Sequence, residues 1–522
     1  MRLVQPSPSR ERGVGGRHET LAYDARGGDH GAGRRARPRH STPRRARIMT
    51  SISLARPTLL LLLGRIAGYG FALLNSILVA RALGAERLGE YAYAMGLAGL
   101  FALLPNLGIN PVVTRAVAAR PEDEVAVLPI AVRMQAVLAI LVASAIPMVA
   151  ALLPAQPVPL AYVTLAAAQL GLGTLGWPYL AVLAGRADFA RVAAVELASA
   201  LLGTACLLGA LLLVGGVPAV LVAHVVAAGA AALVARALTC PAPRNPNRPG
   251  MGLRDLLRQA APFGATAAAQ SIYTRLDVLL LGQLASSRAV GLYSVAYKAP
   301  NLLTYVGSTV VGPLFPLMAQ TGKTENPVAF QRAVRFLAVM GPAVALALSG
   351  LAVPILRILY GAEYDAAAPL LVPLAWSAAA NWLYAPLAVA LQARGCEGWW
   401  LRGLTGALLL NAAGNLWMIP RWGAMGAAIT TLVSELVLVA IGAVLLAWKL
   451  RIFPSWRVTV GGLVATAAGY GALQIGSGGL SGTAAALVAY TVPLLLLRVV
   501  TAEDGRLVLG WIRDIVPGTA RA

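Results

Sequence analysis

Apolar runs of 18 or more residues recur from residue 58 to residue 499, and they constrain the fold more than any other feature of the sequence. A run of that length crosses the hydrocarbon core of a bilayer as an α-helix. The composition agrees, because the 522 residues are 58% hydrophobic and only 12% charged, whereas soluble domains average about a quarter charged residues. We therefore predict an all-α, polytopic membrane protein.

The apolar runs and the breaks between them predict about fourteen transmembrane helices. Their approximate bounds are 58–82, 88–110, 127–153, 158–183, 192–214, 217–237, 260–283, 289–316, 333–357, 367–391, 401–420, 424–448, 457–476 and 481–499. Arg and Lys concentrate in alternate loops, for example at Arg115 and Arg186. Because short basic loops stay in the cytoplasm, this alternation predicts an even number of spans and two cytoplasmic termini. Trp399, Trp400 and Trp417 lie at predicted span ends, where aromatic residues favour the membrane interface.

The chain contains an internal repeat. A shift of 202 residues aligns "NSILVARALGAERLGEYAYA" with "DVLLLGQLASSRAVGLYSVA", so that Gly89 meets Gly291 and Tyr91 meets Tyr293. Both copies begin on the predicted cytoplasmic side, which makes the repeats parallel. Transporters built from two such bundles bind their substrate between the bundles near the membrane midplane. We therefore predict two pseudo-symmetric six-helix bundles followed by two C-terminal helices.

The repeat and the composition together predict six parts of the chain. They are a disordered basic tail (1–50), an N-terminal six-helix bundle (55–237), a basic cytoplasmic linker (238–256), a C-terminal six-helix bundle (257–450), two additional transmembrane helices (455–500) and a cytoplasmic tail (501–522). The first 48 residues hold twelve Arg and no apolar periodicity, which is typical of disorder. Met49 is a plausible alternative start. A nucleic-acid-binding arm is the competing interpretation of the Arg-rich tail, but we expect no nucleic-acid partner.

A few charged residues lie inside the predicted spans: Arg65, Glu196, Arg275, Asp277, Lys298 and Glu435. A charge at bilayer depth is unfavourable, so it normally faces a cavity or a partner. Four of them, the three cations and Asp277, belong to the helices that open the two repeats, where a cavity is expected. They are candidates for a functional site. The alternative left open for all of them is that they pair across helices and only fix packing.

Arg275 and Asp277 are two residues apart, so they project about 200° apart on a helix and cannot pair with each other. Asp277 aligns with Asn75 in the repeat, which suggests a polar position lining the centre of each half. Downstream, Tyr293, Tyr297 and Asn301 follow at four-residue spacing beside Lys298 and form one stripe. Aromatic faces with hydroxyl groups suit sugar rings. Ordinary helix packing and an interfacial aromatic belt are the alternatives.

Motifs of soluble catalytic sites are missing. The sequence has no G-x-x-x-x-G-K-[ST] loop, no H-E-x-x-H and no nucleophile elbow. The three Cys lack metal-ligand spacing. We therefore expect no catalytic residues, no cofactor and no metal centre, and a transporter rather than an enzyme.

Three segments resemble the bacterial polysaccharide flippases, the O-antigen and exopolysaccharide (Wzx-type) exporters. "LVARALGAERLGEYAYAMGLAGLFALLPNLGINPVVTR" resembles their first two spans, and "RLDVLLLGQLASSRAVGLYSVAYK" the opening of their second half. "NAAGNLWMIPRWGAMGAAITTLVSE" is similar to their later Asn-rich helix. The resemblance covers about residues 55 to 450 and implies membership of the multidrug/oligosaccharidyl-lipid/polysaccharide exporter superfamily, of which the MATE transporters and lipid flippases are members.

That resemblance implies a transporter that turns polyisoprenyl-pyrophosphate-linked oligosaccharides across the cell inner membrane for O-antigen, lipopolysaccharide or exopolysaccharide biosynthesis. Arg65, Arg275 and Lys298 would bind pyrophosphate, and Asp277 is a candidate for coupling to H⁺ or Na⁺. Polysaccharide polymerase and chain-length proteins are expected partners beside the bilayer. The alternatives are a lipid II flippase, a drug/cation antiporter, or a membrane polymerase or ligase acting on lipid-linked glycans.

Overall fold

The computed structural model describes residues 43–499 except 103, 154–156, 240–252, 312–313, 315–317, 319–327, 453–455 and 477–478. Most of the predicted basic tail and linker, and all of the predicted cytoplasmic tail, therefore lie outside the described residues. So does the side chain of Arg65, although its backbone is helical. The contacts given below all belong to the compact unit that begins at Leu54.

The described part of the chain is α-helical and contains no strand. The α-helices are α1 (Pro43–Leu100), α2 (Ile109–Ala119), α3 (Glu124–Leu152), α4 (Leu160–Thr174), α5 (Trp177–Gly185), α6 (Phe189–Leu213), α7 (Gly216–Leu238), α8 (Leu253–Leu284), α9 (Ser287–Ala296), α10 (Lys298–Val311), α11 (Val328–Gly350), α12 (Ala352–Tyr360), α13 (Ala368–Ala393), α14 (Glu397–Leu445), α15 (Trp456–Ile475) and α16 (Gly479–Leu496). Short 3₁₀ turns cover Pro121–Asp123 and Ala362–Ala367, and a π turn covers Leu446–Leu450.

The predicted all-α, membrane-spanning fold is confirmed. Within the described residues, ten helical stretches are long and apolar enough to cross a membrane. They cover every predicted span except 260–283 and 289–316, which form the more polar α8 and the pair α9 and α10. Two of the stretches each hold two predicted spans, because the chain turns within α1 at Gly84 (φ 73°) and within α14 at Gly423 (φ 53°). These positive φ values suit glycine, which has no Cβ to clash there.

Some predicted spans are interrupted. In the predicted span 88–110, the helix ends at Leu100 and the next helix, α2, begins only at Ile109. Gly108, which precedes α2, has a left-handed backbone conformation with a φ of 80°. Pro105 in this turn cannot donate a backbone hydrogen bond. The span at 289–316 breaks between α9 and α10 at Tyr297, three residues before Pro300, for which the same reason holds.

The two halves of the repeat meet at their equivalent glycines. A methyl group added at Gly89 would overlap the carbonyl oxygen of Ser287, and one added at Gly291 would overlap that of Ala85. Each added methyl would also lie about 3 Å from the backbone nitrogen of the other glycine. Equivalent atoms of two repeats contact each other only near the axis that relates them. The contact therefore agrees with the predicted parallel pseudo-symmetry.

Within each half, helices pack both on chain neighbours and on helices farther along the chain. In the first half α3 packs on α4, α4 on α7 and α6 on α7; in the second, α13 packs on both α11 and α14, and α14 on α8. The two C-terminal helices α15 and α16 pack on each other and on α11. There the Tyr490 hydroxyl donates to the carbonyl oxygen of Val339 at 2.7 Å.

Candidate functional site

Asp277 lies at the centre of a buried polar cluster between α8, α9 and α14. Its side chain is 6% exposed. Oδ1 accepts a hydrogen bond from Asn415 Nδ2 at 2.8 Å, and Oδ2 accepts from the Tyr293 hydroxyl at 2.8 Å and the Thr431 hydroxyl at 2.7 Å. All three donors are neutral. We call Asp277, Tyr293, Asn411, Asn415 and Thr431 the Asp277 cluster.

Oxygen atoms dominate this cluster. Asn411 and Asn415 are one helical turn apart, and Asn415 Nδ2 also lies 3.0 Å from Asn411 Oδ1. Asn415 Oδ1 is buried and has no hydrogen-bond partner among the described residues. Hard cations prefer carboxylate, amide and hydroxyl oxygens as ligands. The cluster therefore has the donor atoms of a small-cation site, and its carboxylate can equally hold a proton.

The turn in α14 assembles this cluster. At Gly423 the helix reverses, so that Asn411 and Asn415 on one arm and Thr431 on the other reach the same carboxylate. The two arms are packed closely, because a methyl group added at Gly414 would lie 2.7 Å from Thr430 Cγ2. The segment "NAAGNLWMIPRWGAMGAAITT" thus supplies the polar groups, the turn and the small residues together.

A second buried carboxylate lies one turn away. Tyr273 precedes Asp277 by one turn on α8, and Glu435 follows Thr431 by one turn on α14. The Tyr273 hydroxyl donates to Glu435 Oε1 at 3.1 Å, and Glu435 is only 7% exposed. Tyr384 lies beside the same carboxylate. The interpretation of Glu435 as a residue paired across helices agrees with this arrangement, with tyrosine as the partner.

Arg275 faces away from Asp277, as the helical spacing predicts. Its guanidinium packs against α1, where a methyl group added at Gly99 would overlap it. On the same face Ser271 donates to the Gly99 carbonyl oxygen at 3.1 Å. Lys298 is exposed, and its charge is close enough to that of Arg275 for the two to repel each other. Two of the predicted cations therefore come together beside the junction of α8 with α1.

The tyrosine stripe is divided between two roles. Tyr293 is 1% exposed, and its hydroxyl donates a hydrogen bond to Asp277. Tyr297 is half-buried and stacks on Tyr293, with 5.8 Å between ring centroids and 13° between ring planes. Asn301 is exposed on α10. A sugar-facing role thus remains open for Tyr297 and Asn301, whereas Tyr293 belongs to the Asp277 cluster.

Asn75, the repeat equivalent of Asp277, lies elsewhere in the fold. It is half-buried on α1, and its Oδ1 has no hydrogen-bond partner among the described residues. In the same half of the protein, residues of α1, α4, α5, α6 and α7 line a cavity of about 660 Å³, and Asn75 is not among them. Glu196 lies on its wall with Tyr69 and Trp177, and the rest of the lining is mostly Ala and Gly.

Sequence reasoning found Asp277, Tyr293, Arg275 and Lys298 but missed other members of the site. These are Asn411, Asn415 and Thr431, together with the contact between Tyr273 and Glu435. The available signal was the pair of Asn residues at i and i+4 in an otherwise apolar segment. Such a pair puts two amides on one helix face.

Comparison with known proteins gives one family and one fold. A family model described as "Polysaccharide biosynthesis protein" matches residues 54–322. The structure is similar to a lipid II flippase MurJ in an inward closed conformation, with 12% identity, a TM-score of 0.64, and 84% of this chain and 99% of that chain covered. No curated protein matches the sequence.

Multidrug transporters share the fold as well. An inward-facing MATE family transporter of the MOP superfamily has a TM-score of 0.52 and 14% identity, covering 73% of this chain and 94% of that chain. An outward-facing MATE family transporter of the same superfamily has a TM-score of 0.53 and 13% identity, covering 76% of this chain and 95% of that chain. The predicted architecture of a MATE-like or lipid-flippase-like protein is thereby confirmed.

Proposed function

The chain belongs to the polysaccharide biosynthesis protein family, and on that basis we propose that it flips a polyisoprenyl-pyrophosphate-linked oligosaccharide across the cell inner membrane by alternating access. The transported repeat units would serve the assembly of O-antigen, lipopolysaccharide or exopolysaccharide. Both termini lie in the cytoplasm in this proposal, which the alternation of basic loops supports. No bond is made or broken. Polymerase and chain-length proteins would use the units on the outer side.

The pair Arg275 and Lys298 carries this proposal. Arg275 packs beside the junction of α8 with α1, and Lys298 at the start of α10 is near enough for the two charges to interact. Charges at bilayer depth are retained where they serve a ligand or a partner. A pyrophosphate offers several anionic oxygens to guanidinium and ammonium donors. Arg65, from the opening helix of the first half, would add a third cation, and Tyr297 and Asn301 would contact sugar.

The Asp277 cluster would couple transport to a cation gradient. Its carboxylate is held by neutral donors only, and the oxygen of Asn415 beside it has no hydrogen-bond partner among the described residues. Binding of H⁺ or Na⁺ there neutralises a buried charge. A conformational change that opens the cluster to one side of the membrane and then to the other would carry that cation along with the cycle.

The test is a deletion complemented with variants. Deletion should abolish surface polysaccharide while lipid-linked repeat units accumulate on the inner leaflet. The double variant Arg275→Gln/Lys298→Gln should fail to complement, whereas Arg288→Gln, an exposed Arg on α9, should complement fully. Surface polysaccharide that persists in the deletion strain would overturn the assignment.

A lipid II flippase or a drug/cation antiporter is the second candidate, and the structural likeness to proteins of both kinds favours it. The same deletion separates these functions. Accumulation of peptidoglycan precursor would indicate a lipid II flippase, and drug sensitivity with normal polysaccharide would indicate an antiporter. If instead the units reach the outer leaflet and remain unpolymerised or unligated, the protein is a membrane enzyme.

A further inference from the structure

Two tryptophans and two cations form a compact group where α14 begins and where it ends. Trp399 lies in the first turn of α14, and Trp448 lies in the π turn that follows the helix. Their rings meet edge to face, with 5.2 Å between centroids. Lys449 Nζ lies 3.5 Å from the Trp448 centroid and 4.2 Å from the Trp399 centroid, and Arg402 Cζ lies 4.7 Å from the Trp399 centroid. We call these four residues the Trp399 cluster.

The position of this cluster along α14 indicates the membrane interface. A second tryptophan pair, Trp417 and Trp422, lies just before the turn at Gly423, at the far end of the first arm of α14. Trp399 and Trp417 are 18 residues apart, which corresponds to about 27 Å along a helix. The hydrocarbon core of a bilayer is about 30 Å thick. Trp399 and Trp448 are 38% and 60% exposed, so both face outward at one boundary of the apolar core.

Among the described residues, the charges of the cluster have no acidic partner. Neither Arg402 nor Lys449 forms an ion pair with a carboxylate in the part of the chain that the structure describes. Both cations lie over the ring of Trp399, 4.7 Å and 4.2 Å from its centroid. A cation on an aromatic face gains only a modest energy when it is exposed. An anionic ligand would give both cations the charged acceptor that they lack among the described residues.

The opposite tryptophan pair differs in charge. It has one cation, Arg421, whose Cζ lies 4.8 Å from the Trp417 centroid. That guanidinium already donates to the Trp417 carbonyl oxygen at 2.7 Å. The Trp399 cluster and the pair at the Gly423 turn are therefore alike in aromatic residues and differ in the number of cations available for a ligand.

We propose that the Trp399 cluster binds the phosphate headgroup of an anionic phospholipid. The phosphates of a bilayer lie at the depth where exposed tryptophans are anchored. Arg402 and Lys449 would contact the phosphate oxygens, and the indole N–H groups offer further donors. Basic groups of this kind at a membrane face attract anionic lipids. The predicted orientation places the site in the cytoplasmic leaflet.

The test is lipid binding measured by native mass spectrometry on the purified full chain. Phosphatidylglycerol and phosphatidylcholine are titrated separately into the delipidated protein. The double variant Arg402→Gln/Lys449→Gln should bind phosphatidylglycerol roughly 30-fold more weakly, because each basic side chain at an anionic surface contributes to binding. Arg421→Gln, the matched control, should bind as the parent does.

Two further measurements keep the outcome unambiguous. Arg402→Lys/Lys449→Arg preserves both charges and should retain binding, which separates loss of charge from misfolding. Phosphatidylcholine should bind the parent and the double variant equally weakly. The proposal is overturned if the double variant keeps the parent's affinity for phosphatidylglycerol, if Arg421→Gln loses it equally, or if inorganic phosphate displaces the lipid and binds in its place.

Discussion

The two halves of the protein place equivalent tyrosines in different chemical surroundings. In the first half the Tyr91 hydroxyl lies 3.0 Å from Nε2 of His224. In the second half the Tyr293 hydroxyl donates to Asp277 at 2.8 Å. One tyrosine thus has an imidazole partner and the other a buried carboxylate. The two halves therefore share the tyrosine but differ in the hydrogen-bond partner of its hydroxyl.

The polar positions of the repeat differ in the same way. Asn75 has a buried Oδ1 without a hydrogen-bond partner among the described residues, whereas Asp277 accepts from three side chains. The first half also contains the 660 Å³ cavity with Glu196 on its wall. The second half instead contains the packed Asp277 cluster. The two halves thus share the close glycine contact at Gly89 and Gly291 but differ in their polar groups, and in our proposal the coupling cation binds in the second half.

The largest expected effect is that of Asp277→Asn. Removing the carboxylate removes the charge that a cation would neutralise, so we expect at least a ten-fold loss of gradient-driven transport, equivalent to ~1.4 kcal/mol or more. The measurement is movement of lipid-linked oligosaccharide in proteoliposomes under an imposed Na⁺ or H⁺ gradient. Asp277→Glu, which keeps the charge, should retain part of the activity. Full activity of Asp277→Asn with an unchanged response to both gradients would rule out Asp277 as the residue that couples transport to a cation.

Gly291→Ala tests the close contact between the two halves at Gly89 and Gly291. The added methyl would overlap the Ala85 carbonyl oxygen, and forcing helices apart in a packed interior costs roughly 1–3 kcal/mol. We expect the melting temperature of the purified protein to fall by several degrees. Gly406→Ala is the matched control, because nothing lies within 4 Å of its added methyl. An equal melting temperature for both variants would mean that the glycine contact does not hold the halves together.

Paired tyrosine variants compare the halves directly. Tyr293→Phe removes a hydrogen bond to a carboxylate, worth about 1.5–3 kcal/mol when the acceptor is charged, and Tyr91→Phe removes a bond worth about 1 kcal/mol. We therefore expect Tyr293→Phe to lower the melting temperature more than Tyr91→Phe does. It should also slow cation-driven transport. The reverse order of stability would show that the contact with His224 matters more than the one with Asp277.

The sequence predicted the fold and part of the site because both leave periodic signals. Apolar runs mark the spans, and the spacing of Arg275 and Asp277 places them on opposite sides of α8 whatever the tertiary structure. The approach of Asn415 and Thr431 to Asp277 has no such signal. It depends on the reversal at Gly423 and on how α14 packs against α8, and neither follows from a local pattern.

The tryptophans also show that a local sequence pattern does not determine tertiary packing, and Trp400 is the example. Trp399 and Trp417 are exposed, as their predicted interfacial positions require, but Trp400 is only 7% exposed. Its ring packs against Tyr384 with 5.8 Å between centroids. Neighbouring residues on a helix point about 100° apart, so only one of the two adjacent tryptophans can face lipid. Which one does so is decided by the rotation of α14 against α13.

Asn75→Ala should have the smallest effect and completes the comparison. The substitution removes no hydrogen bond to Oδ1. A substitution that breaks no such contact usually changes the free energy of unfolding by no more than ~0.5 kcal/mol. We therefore expect the melting temperature to stay within about 2 °C of the parent's. Asn415→Ala, by contrast, removes a donor to Asp277. A cation that binds the folded protein raises its stability with concentration. Asn75→Ala should keep that cation-dependent rise and Asn415→Ala should lose most of it; equal losses would place the cation site across both halves.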